Sequence, residues 1–440
     1  LPVRSSNRGV ARLLTGFLFL KLFVSVWGMR DKEVERLIKA EQVRQKKTIN
    51  LIASENYVSP DVLEALGSEL TNKYAEGKSH FRYYGGNEVV DAVEDLCKER
   101  ALKTYHLSPK TWSVNVQPLS GSPANLAVYV ALVPPGATMM AMRLDHGGHL
   151  THGHPVSFTG KVWRWVHYGV DRDSEVLDYE AIAELATKEQ PKLIVAGFTA
   201  YPRLIDFKKF REIADSVGAI FMVDMSHIAG LVAGGAHPSP FKYADVVTTT
   251  THKTLRGPRA AMIFSKNILY HLKPKTHNLP DLIDRAVFPG LQGGPHANQI
   301  AATAVALAET ARPEFKKYAR QVVKNARALA DELARLGWRL VSGGTDNHLL
   351  LVDVWNNGRP STSSGQPLTG REASERLEAA GIIVNKNTIP FDTRSPVDPS
   401  GIRLGTAAET TRGKKEKDMI KLAGRIDKIL RDPNYAKNQR

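Results

Sequence analysis

From Tyr179 to Phe264 the chain alternates helical and β-rich stretches, and that alternation is what most constrains its fold. Tyr179 to Lys188 and Phe207 to Ser216 read as helices, and around them lie the short runs Leu193 to Ala196, Ala219 to Val223, Val246 to Thr251 and Ala261 to Phe264. Runs this short and this apolar or β-branched are strands covered on both faces, so the order predicts an α/β fold with a mostly parallel sheet under helices. Helical stretches at Asn87 to Tyr105 and Asn125 to Leu132 precede this region. An Ala-rich helix from Asn298 to Thr310 and another from Pro313 to Leu336 follow it. The pattern then changes to a strand at Leu349 to Val354, a helix at Arg371 to Ala380, a strand at Ile382 to Val384 and a helix at Lys415 to Leu430, which predicts a smaller α+β domain with a loop at Pro360 to Gly370.

A chain of 440 residues suits two domains with an appendage. The expected organisation is a leader at 1–28, an N-terminal helical arm at 29–60, a large domain at 61–310 and a small domain at 311–440. Apolar residues at 42% and charged residues at 24% are those of a globular protein and argue against a disordered, collagen-like or multi-span membrane chain. Cys97 is the only cysteine, which excludes an intramolecular disulfide framework and a cysteine-cluster metal site. The net charge of +15 is uneven. Residues 1–50 carry 11 Lys/Arg against 4 Asp/Glu, and residues 411–440 carry 10 against 4, leaving only +2 for the body between them. Two basic ends on a nearly neutral body fit an enzyme better than a nucleic-acid-binding surface.

Residues 1–28 hold Arg4, Arg8, Arg12 and Lys21, no acid, and an apolar run from Leu13 to Trp27 too short for a comfortable membrane span. Three readings compete: an organelle transit peptide, a secretory signal or anchor, and sequence upstream of a start at Met29. The charged, helix-like sequence directly after Met29 favours the third. A cytoplasmic location is the corresponding expectation, and an organelle the alternative if the leader is a transit peptide. From Asp31 to Lys47, Val34, Leu37, Ile38 and Val43 recur near helical spacing, predicting a polar helix on a surface or a partner.

Three features carry chemistry. Ser120-Gly121-Ser122 precedes a helical run starting near Ala124, where free N–H groups could face a phosphate, although an ordinary helix cap has the same composition. Asp224 ends the apolar strand from Ala219, so its carboxylate emerges at the carboxyl edge of the sheet, the usual ligand crevice of such folds. Lys253 follows the run Val246 to Thr251 and lies among hydroxyls in Thr250-Thr-His-Lys-Thr254, a setting for a Schiff-base amine. Together they supply what pyridoxal phosphate needs: an anion cradle, a carboxylate for the pyridine nitrogen, and an amine. His146, His149 and His152 recur at three-residue spacing, but the glycines at 147 and 148 discourage a helix and no carboxylate completes a ligand set, so no metal is expected. A loop laying one imidazole against an aromatic cofactor is the alternative use. The chain has no GxGxxG or GxxxxGK[ST] element.

Many blocks in order resemble the serine hydroxymethyltransferase family, from about Met29 to the C-terminus. They include Leu51-Ile-Ala-Ser-Glu-Asn56, Thr71-Asn-Lys-Tyr-Ala-Glu-Gly77, Arg82-Tyr-Tyr-Gly-Gly86, Gly147-Gly-His-Leu-Thr-His-Gly153, Val223-Asp-Met-Ser-His227, Thr248 to Arg259, Gln292-Gly-Gly-Pro295, Ser342 to His348 and Gly401-Ile-Arg403. The resemblance implies a fold-type I pyridoxal phosphate enzyme that moves the hydroxymethyl carbon of serine to tetrahydrofolate and leaves glycine. Within it Lys253 would form the Schiff base, Asp224 would pair with the pyridine nitrogen and His149 would stack on the ring. Ser120, Gly121 and Ser122 would hold the phosphate, helped by Tyr74 and Gly294 of the neighbouring subunit of a homodimer or dimer-based tetramer. Thr199 and His227 would face the ring hydroxyl, and Arg403 with Ser54 would grip the amino-acid carboxylate. Glu76 would transfer a proton near the serine hydroxyl, with Tyr84 assisting, and the pterin would meet Leu144, Gly148 and Asn387. A folate-independent aldolase for β-hydroxy amino acids is the runner-up.

The chain also departs from the family pattern. Pro123 stands where Gln is usual, which removes an N–H although proline is tolerated at a helix's first position. Ala260 and Ala261 replace a glycine pair, Ala407 replaces a proline, and Lys78-Ser-His80-Phe81 stands where Tyr-Pro-Gly-Lys is common.

Overall fold

A computed structural model describes residues 29–272, 275–356 and 367–432, with side chains 270–276 excepted. The leader and most of the Pro360 to Gly370 loop lie outside the described residues. Residues up to Ile49 form one unit and those from Asn50 onward another. In the first, α1 (Lys32–Lys47) is capped by Asp31, whose carboxylate accepts from the N–H groups of Glu33 and Val34. None of its residues is buried, and Val34, Leu37, Ile38 and Val43 stand exposed.

The second unit is built on seven strands: β1 (Trp112–Asn115), β2 (Thr138–Met142), β3 (Arg164–Tyr168), β4 (Leu193–Ala196), β5 (Ile220–Asp224), β6 (Val246–Thr250) and β7 (Ala261–Lys266). Their order is β1-β7-β6-β5-β4-β2-β3, and only β7 runs against the rest. Period-2 alternation splits the strand side chains between two cores. Met140, Met142, Ile194, Phe221, Val223 and Val247 face one, while Met139, Leu193, Val195, Met222 and Val246 face the other. Helices α2 (Glu88–Thr104), α3 (Gly121–Leu132), α4 (Tyr179–Glu189), α5 (Phe207–Ser216), α6 (Ala297–Thr310) and α7 (Pro313–Arg335) supply the cover. Because β2, β4, β5 and β6 are parallel, Met142, Ala196, Asp224 and Thr250 all end at one edge, and the loops beyond them meet there.

A four-stranded antiparallel sheet follows, formed by β8 (Arg339–Leu340), β9 (Leu349–Asp353), β10 (Asn385–Asn387) and β11 (Gly401–Gly405) in the order β8-β9-β11-β10. Helices α8 (Gly370–Ala379) and α9 (Glu416–Arg431) belong to the same C-terminal part. Register places Arg403 of β11 between Leu351 and Asn385.

One boundary differs from expectation in a way that matters. Helix α3 starts at Gly121 rather than near Ala124, with Ser120 in extended conformation as its cap and the Ala124 N–H bonded to the Ser120 carbonyl. Pro123 is therefore the third helical residue, not the first. It fits because N–H groups of the first turn have no acceptor inside the helix.

Candidate active site

The carboxyl edge of the large sheet opens into a cavity of about 380 Å³. Ser54, Ser120, Gly121, Ser122, His149, Thr199, Asp224, His227, Lys253 and Arg403 all line it. Ten residues singled out in the sequence thus converge from the ends of β1, β2, β4, β5 and β6 and the segments that follow them, from the N-terminal segment, and from β11.

Asp224 is the most heavily braced. Its Oδ1 accepts from the Ser226 N–H at 3.0 Å and the Ser226 hydroxyl at 2.5 Å, and its Oδ2 accepts from Asn125 Nδ2 at 2.9 Å. His152 Nε2 lies 3.4 Å from the same oxygen. Burial by itself would raise this carboxyl, but His152, Lys253 and His149 outweigh it and hold Asp224 well below the usual carboxylate range. The buried Lys253 goes the other way from an ordinary lysine: burial lowers its amine to about 8, against the opposing pull of Asp224 and with help from Arg403 and Arg259.

His149 is also kept neutral, lowered to about 4 chiefly by burial. Its Nδ1 accepts the Thr151 N–H at 3.2 Å, so the neutral ring carries its proton on Nε2. Elsewhere in the cavity wall, His227 Nδ1 lies 3.2 Å from His348 Nε2. Burial depresses both, His348 to about 3, so the pair is uncharged.

Arg403 is buried in β11 and held by two acceptors, Asn385 Oδ1 at 3.0 Å from Nε and the Thr199 carbonyl at 2.6 Å from Nη1. Neither is charged, and among the described residues Arg403 has no carboxylate partner. A buried guanidinium without a counter-ion, open to a cavity, selects an anionic ligand.

The remaining predicted residues lie elsewhere. Tyr74, Glu76, Tyr84 and Gly294 do not line this cavity. They form their own group: the Tyr74 and Tyr84 rings meet edge to face at 5.3 Å, Tyr74 covers Gly294, and Glu76 Oε1 comes within 3.1 Å of where a Cβ on Gly293 would sit. Tyr74 is 57% exposed and Tyr84 44%. Leu144 lines a second cavity of about 430 Å³ with Arg143, Asp145, His154, His167, Thr388 and Pro396, and His149 and His152 form a wall of both cavities. Gly148 sits beneath, its carbonyl accepting from the Thr199 hydroxyl at 2.7 Å. Asn387 turns onto the carbonyl of Thr388.

Sequence reading missed several residues of the main cavity: Asn125, His152, Ser226, Thr250, His252 and Arg259. Asn125 is marked only as a polar residue inside an apolar helical run, whereas His152, Ser226, Thr250, His252 and Arg259 lie inside the motifs quoted above, where no role is assigned to them. The three spaced histidines part company: His146 accepts the Val170 N–H and packs on Phe391, while His149 and His152 turn to the cavity from a loop. Ala260 and Ala261 are buried where β7 begins, and Ala407 opens a short helix to Thr411.

The cavity fits pyridoxal phosphate on observations of this chain alone. Ser120 caps α3 without spending its hydroxyl on the helix, and a Cβ on Gly121 would lie 2.7 Å from Thr250 Cγ2, so backbone N–H groups are left open where bulk would close them. Thr250 Oγ1 and His252 Nδ1 are buried there without a partner. An ionised carboxylate, a neutralisable amine and an unpaired guanidinium complete a site for a phosphate, a protonated ring nitrogen, an aldehyde and an amino acid. A family model described as serine hydroxymethyltransferase matches residues 28–426, which places this site, its sheet and the C-terminal sheet within one match. The chain belongs to the serine hydroxymethyltransferase family, fold-type I pyridoxal phosphate-dependent transferases.

Proposed function

We propose that the protein transfers the hydroxymethyl carbon of serine reversibly to tetrahydrofolate, giving glycine and methylenetetrahydrofolate, and that it does so as a homodimer or a dimer of dimers in the cytoplasm. The observation that carries the reading is Arg403, buried and without a carboxylate partner among the described residues, sharing a cavity with Lys253 and Asp224. An amino acid held there by its carboxylate presents its amino group toward Lys253. When bound, pyridoxal phosphate supplies an electron sink for the bond broken at the amino acid's α-carbon.

The chain's own residues divide the rest. Asp224, ionised and braced, would hold the ring nitrogen protonated. Lys253 is neutral in a large fraction near pH 8 and so is an available nucleophile and base. His149 would lay its neutral ring against the cofactor, and the hydroxyl of Thr199 and the imidazole of His227 would address the cofactor's ring hydroxyl. Glu76 holds or accepts the proton of the serine hydroxyl, with Tyr84 beside it. Because Tyr74, Glu76, Tyr84 and Gly294 form a group outside the cavity, a second copy of the chain bringing that group to the Lys253 cavity completes the site. The second cavity at Leu144, sharing His149 and His152 with the first, suits the pterin of tetrahydrofolate, close to where the carbon is released. Among the described residues no helix is long and apolar enough to cross a membrane.

Purified protein loaded with pyridoxal phosphate and given serine tests the reading. Glycine formation that depends on tetrahydrofolate is the expected result. Cleavage of β-hydroxy amino acids unchanged by folate would instead identify an aldolase of the same family.

A further inference from the structure

One buried guanidinium holds the turn that carries Glu76. Gly77–Lys78 and Phe81–Arg82 form a two-stranded hairpin in which Gly77 lies opposite Arg82. Gly77 has φ +105°, and a Cβ there would lie 2.3 Å from the Phe81 carbonyl, so only glycine closes the hairpin. The Arg82 side chain, 3% exposed, turns back across it. Its Nη1 donates to the Ala75 carbonyl at 3.0 Å and the Gly77 carbonyl at 2.6 Å, one on each side of Glu76. The Glu76 carbonyl itself accepts the Tyr83 N–H at 2.9 Å. Three successive carbonyls are thus fixed.

The other edge of the guanidinium is anchored in α2. Nε donates to Asp91 Oδ1 at 2.8 Å and Nη2 to Glu94 Oε2 at 2.7 Å. Glu94, 1% exposed, is braced in turn by Lys98 at 2.6 Å and by Gln117 Nε2 at 3.1 Å, and the same Gln117 amide donates to the Gly77 carbonyl at 3.0 Å. Burying a cation and two anions costs desolvation that apolar residues would avoid, so closing a hairpin does not by itself account for this network. What it supplies is direction: a planar fork bonded on both edges cannot pivot, and a lysine could not reproduce it.

We infer that Arg82 is a positioning residue for Glu76, fixing the backbone on both sides of it so that its carboxylate meets the serine hydroxyl in one orientation. The inference rests on the proposed role of Glu76 as the proton-transfer group. Serine has the hydroxyl that Glu76 addresses and glycine does not, which provides an internal comparison.

The experiment measures, on the cofactor-loaded protein, serine turnover with tetrahydrofolate and the exchange of the glycine α-proton into deuterated water. In Arg82→Lys and Arg82→Gln, kcat for serine falls roughly ten- to a hundredfold, the range expected when a reacting group is misplaced by about 1 Å. KM for serine and the glycine exchange rate each change less than about threefold, because neither needs an aimed Glu76. Added to Glu76→Gln, Arg82→Lys costs less than about threefold more, since an aim that no longer matters cannot be lost twice. Equal losses in the two reactions, or losses that multiply with Glu76→Gln, overturn the inference. If the Arg82 variants do not fold, Asp91→Asn loosens one edge of the fork: a serine-to-glycine rate ratio lowered severalfold supports the inference, and an unchanged ratio overturns it. A Glu76→Gln protein that turns over serine at the wild-type rate overturns the role of Glu76 and the inference with it, while wild-type protein that never converts serine overturns the proposed function.

Discussion

Asn125 donates its side-chain amide to Asp224 Oδ2 at 2.9 Å, and the orientation of that amide is set from the other end, where the Thr248 hydroxyl donates to Asn125 Oδ1 at 2.7 Å. The same Nδ2 also reaches the Thr151 hydroxyl at 3.0 Å, one link from His149. A single residue of α3 thus braces the carboxylate and, through the Thr151 hydroxyl, His149. Hydrogen bonds to a buried charge contribute about 1.5–3 kcal/mol. Asn125→Ala should weaken pyridoxal phosphate binding roughly tenfold to a hundredfold, measured by equilibrium dialysis with cofactor fluorescence. Asn125→Asp should do worse, since two carboxylates in contact cannot both stay ionised. Wild-type affinity in both would remove Asn125 from the site.

The rate of cofactor loading carries the signature of Lys253. The attacking form is the neutral amine, and burial lowers this amine from 10.5 to about 8. As pH rises, the neutral fraction therefore saturates above about 8, whereas an unperturbed lysine would keep gaining to pH 10 and beyond. Covalent incorporation of pyridoxal phosphate followed by stopped-flow absorbance from pH 6.5 to 10 should climb and then level off just above 8. A rate still rising tenfold per pH unit between 9 and 10 contradicts the buried setting of the amine.

What the sequence disclosed of this site, and what it did not, follows from where each residue sits. Asp224 and Lys253 were legible because Asp224 ends an apolar strand and Lys253 follows a β-branched one, and a parallel sheet sends every such end to one edge. The strands β1 and β2 were not, since Trp112-Ser-Val-Asn115 is short and mixed and Thr138-Met-Met-Ala-Met142 lacks the β-branched content that marks a strand. β11 was hidden by the glycines at its two ends, 401 and 405, although it carries Arg403. Spacing alone offers His152 as a metal ligand. Its contact with Asp224 joins the loop after β2 to the end of β5, a distance in sequence that no local pattern spans.

In the proposed reaction Arg403 grips the amino acid's carboxylate, and its planar fork is fixed at Nε and Nη1 by Asn385 and Thr199. Arg403→Lys keeps a positive charge but loses those two anchors and the bidentate geometry. Loss of a charge-assisted pair of this kind corresponds to about 2–3 kcal/mol, or roughly 30- to 150-fold in the dissociation constant of glycine. Isothermal titration with glycine measures it, and pyridoxal phosphate loading in the same variant should stay within about threefold of wild type, because Arg403 faces the amino acid rather than the phosphate. Equal weakening of both ligands would mean that the substitution had disturbed the cavity as a whole.

The separation of Glu76 from the Lys253 cavity leads to the most demanding prediction. If each site takes Lys253 from one copy and Glu76 from its neighbour, Lys253→Ala and Glu76→Gln homodimers are each defective at both sites. A mixed dimer is not: one site inherits both lesions and the other inherits neither. Random reassortment of equal amounts makes half the dimers mixed, each with one sound site, so activity should return to about a quarter of wild type on symmetry grounds alone. Unfolding the two variants together and refolding them with cofactor, then assaying serine turnover, gives the number. Refolding each variant separately and mixing afterwards controls for residual activity. Recovery no greater than that control would mean that Glu76 serves the cavity of its own chain, which would require the loop carrying it to swing from its contacts with Gly293 and Gly294 into the cavity.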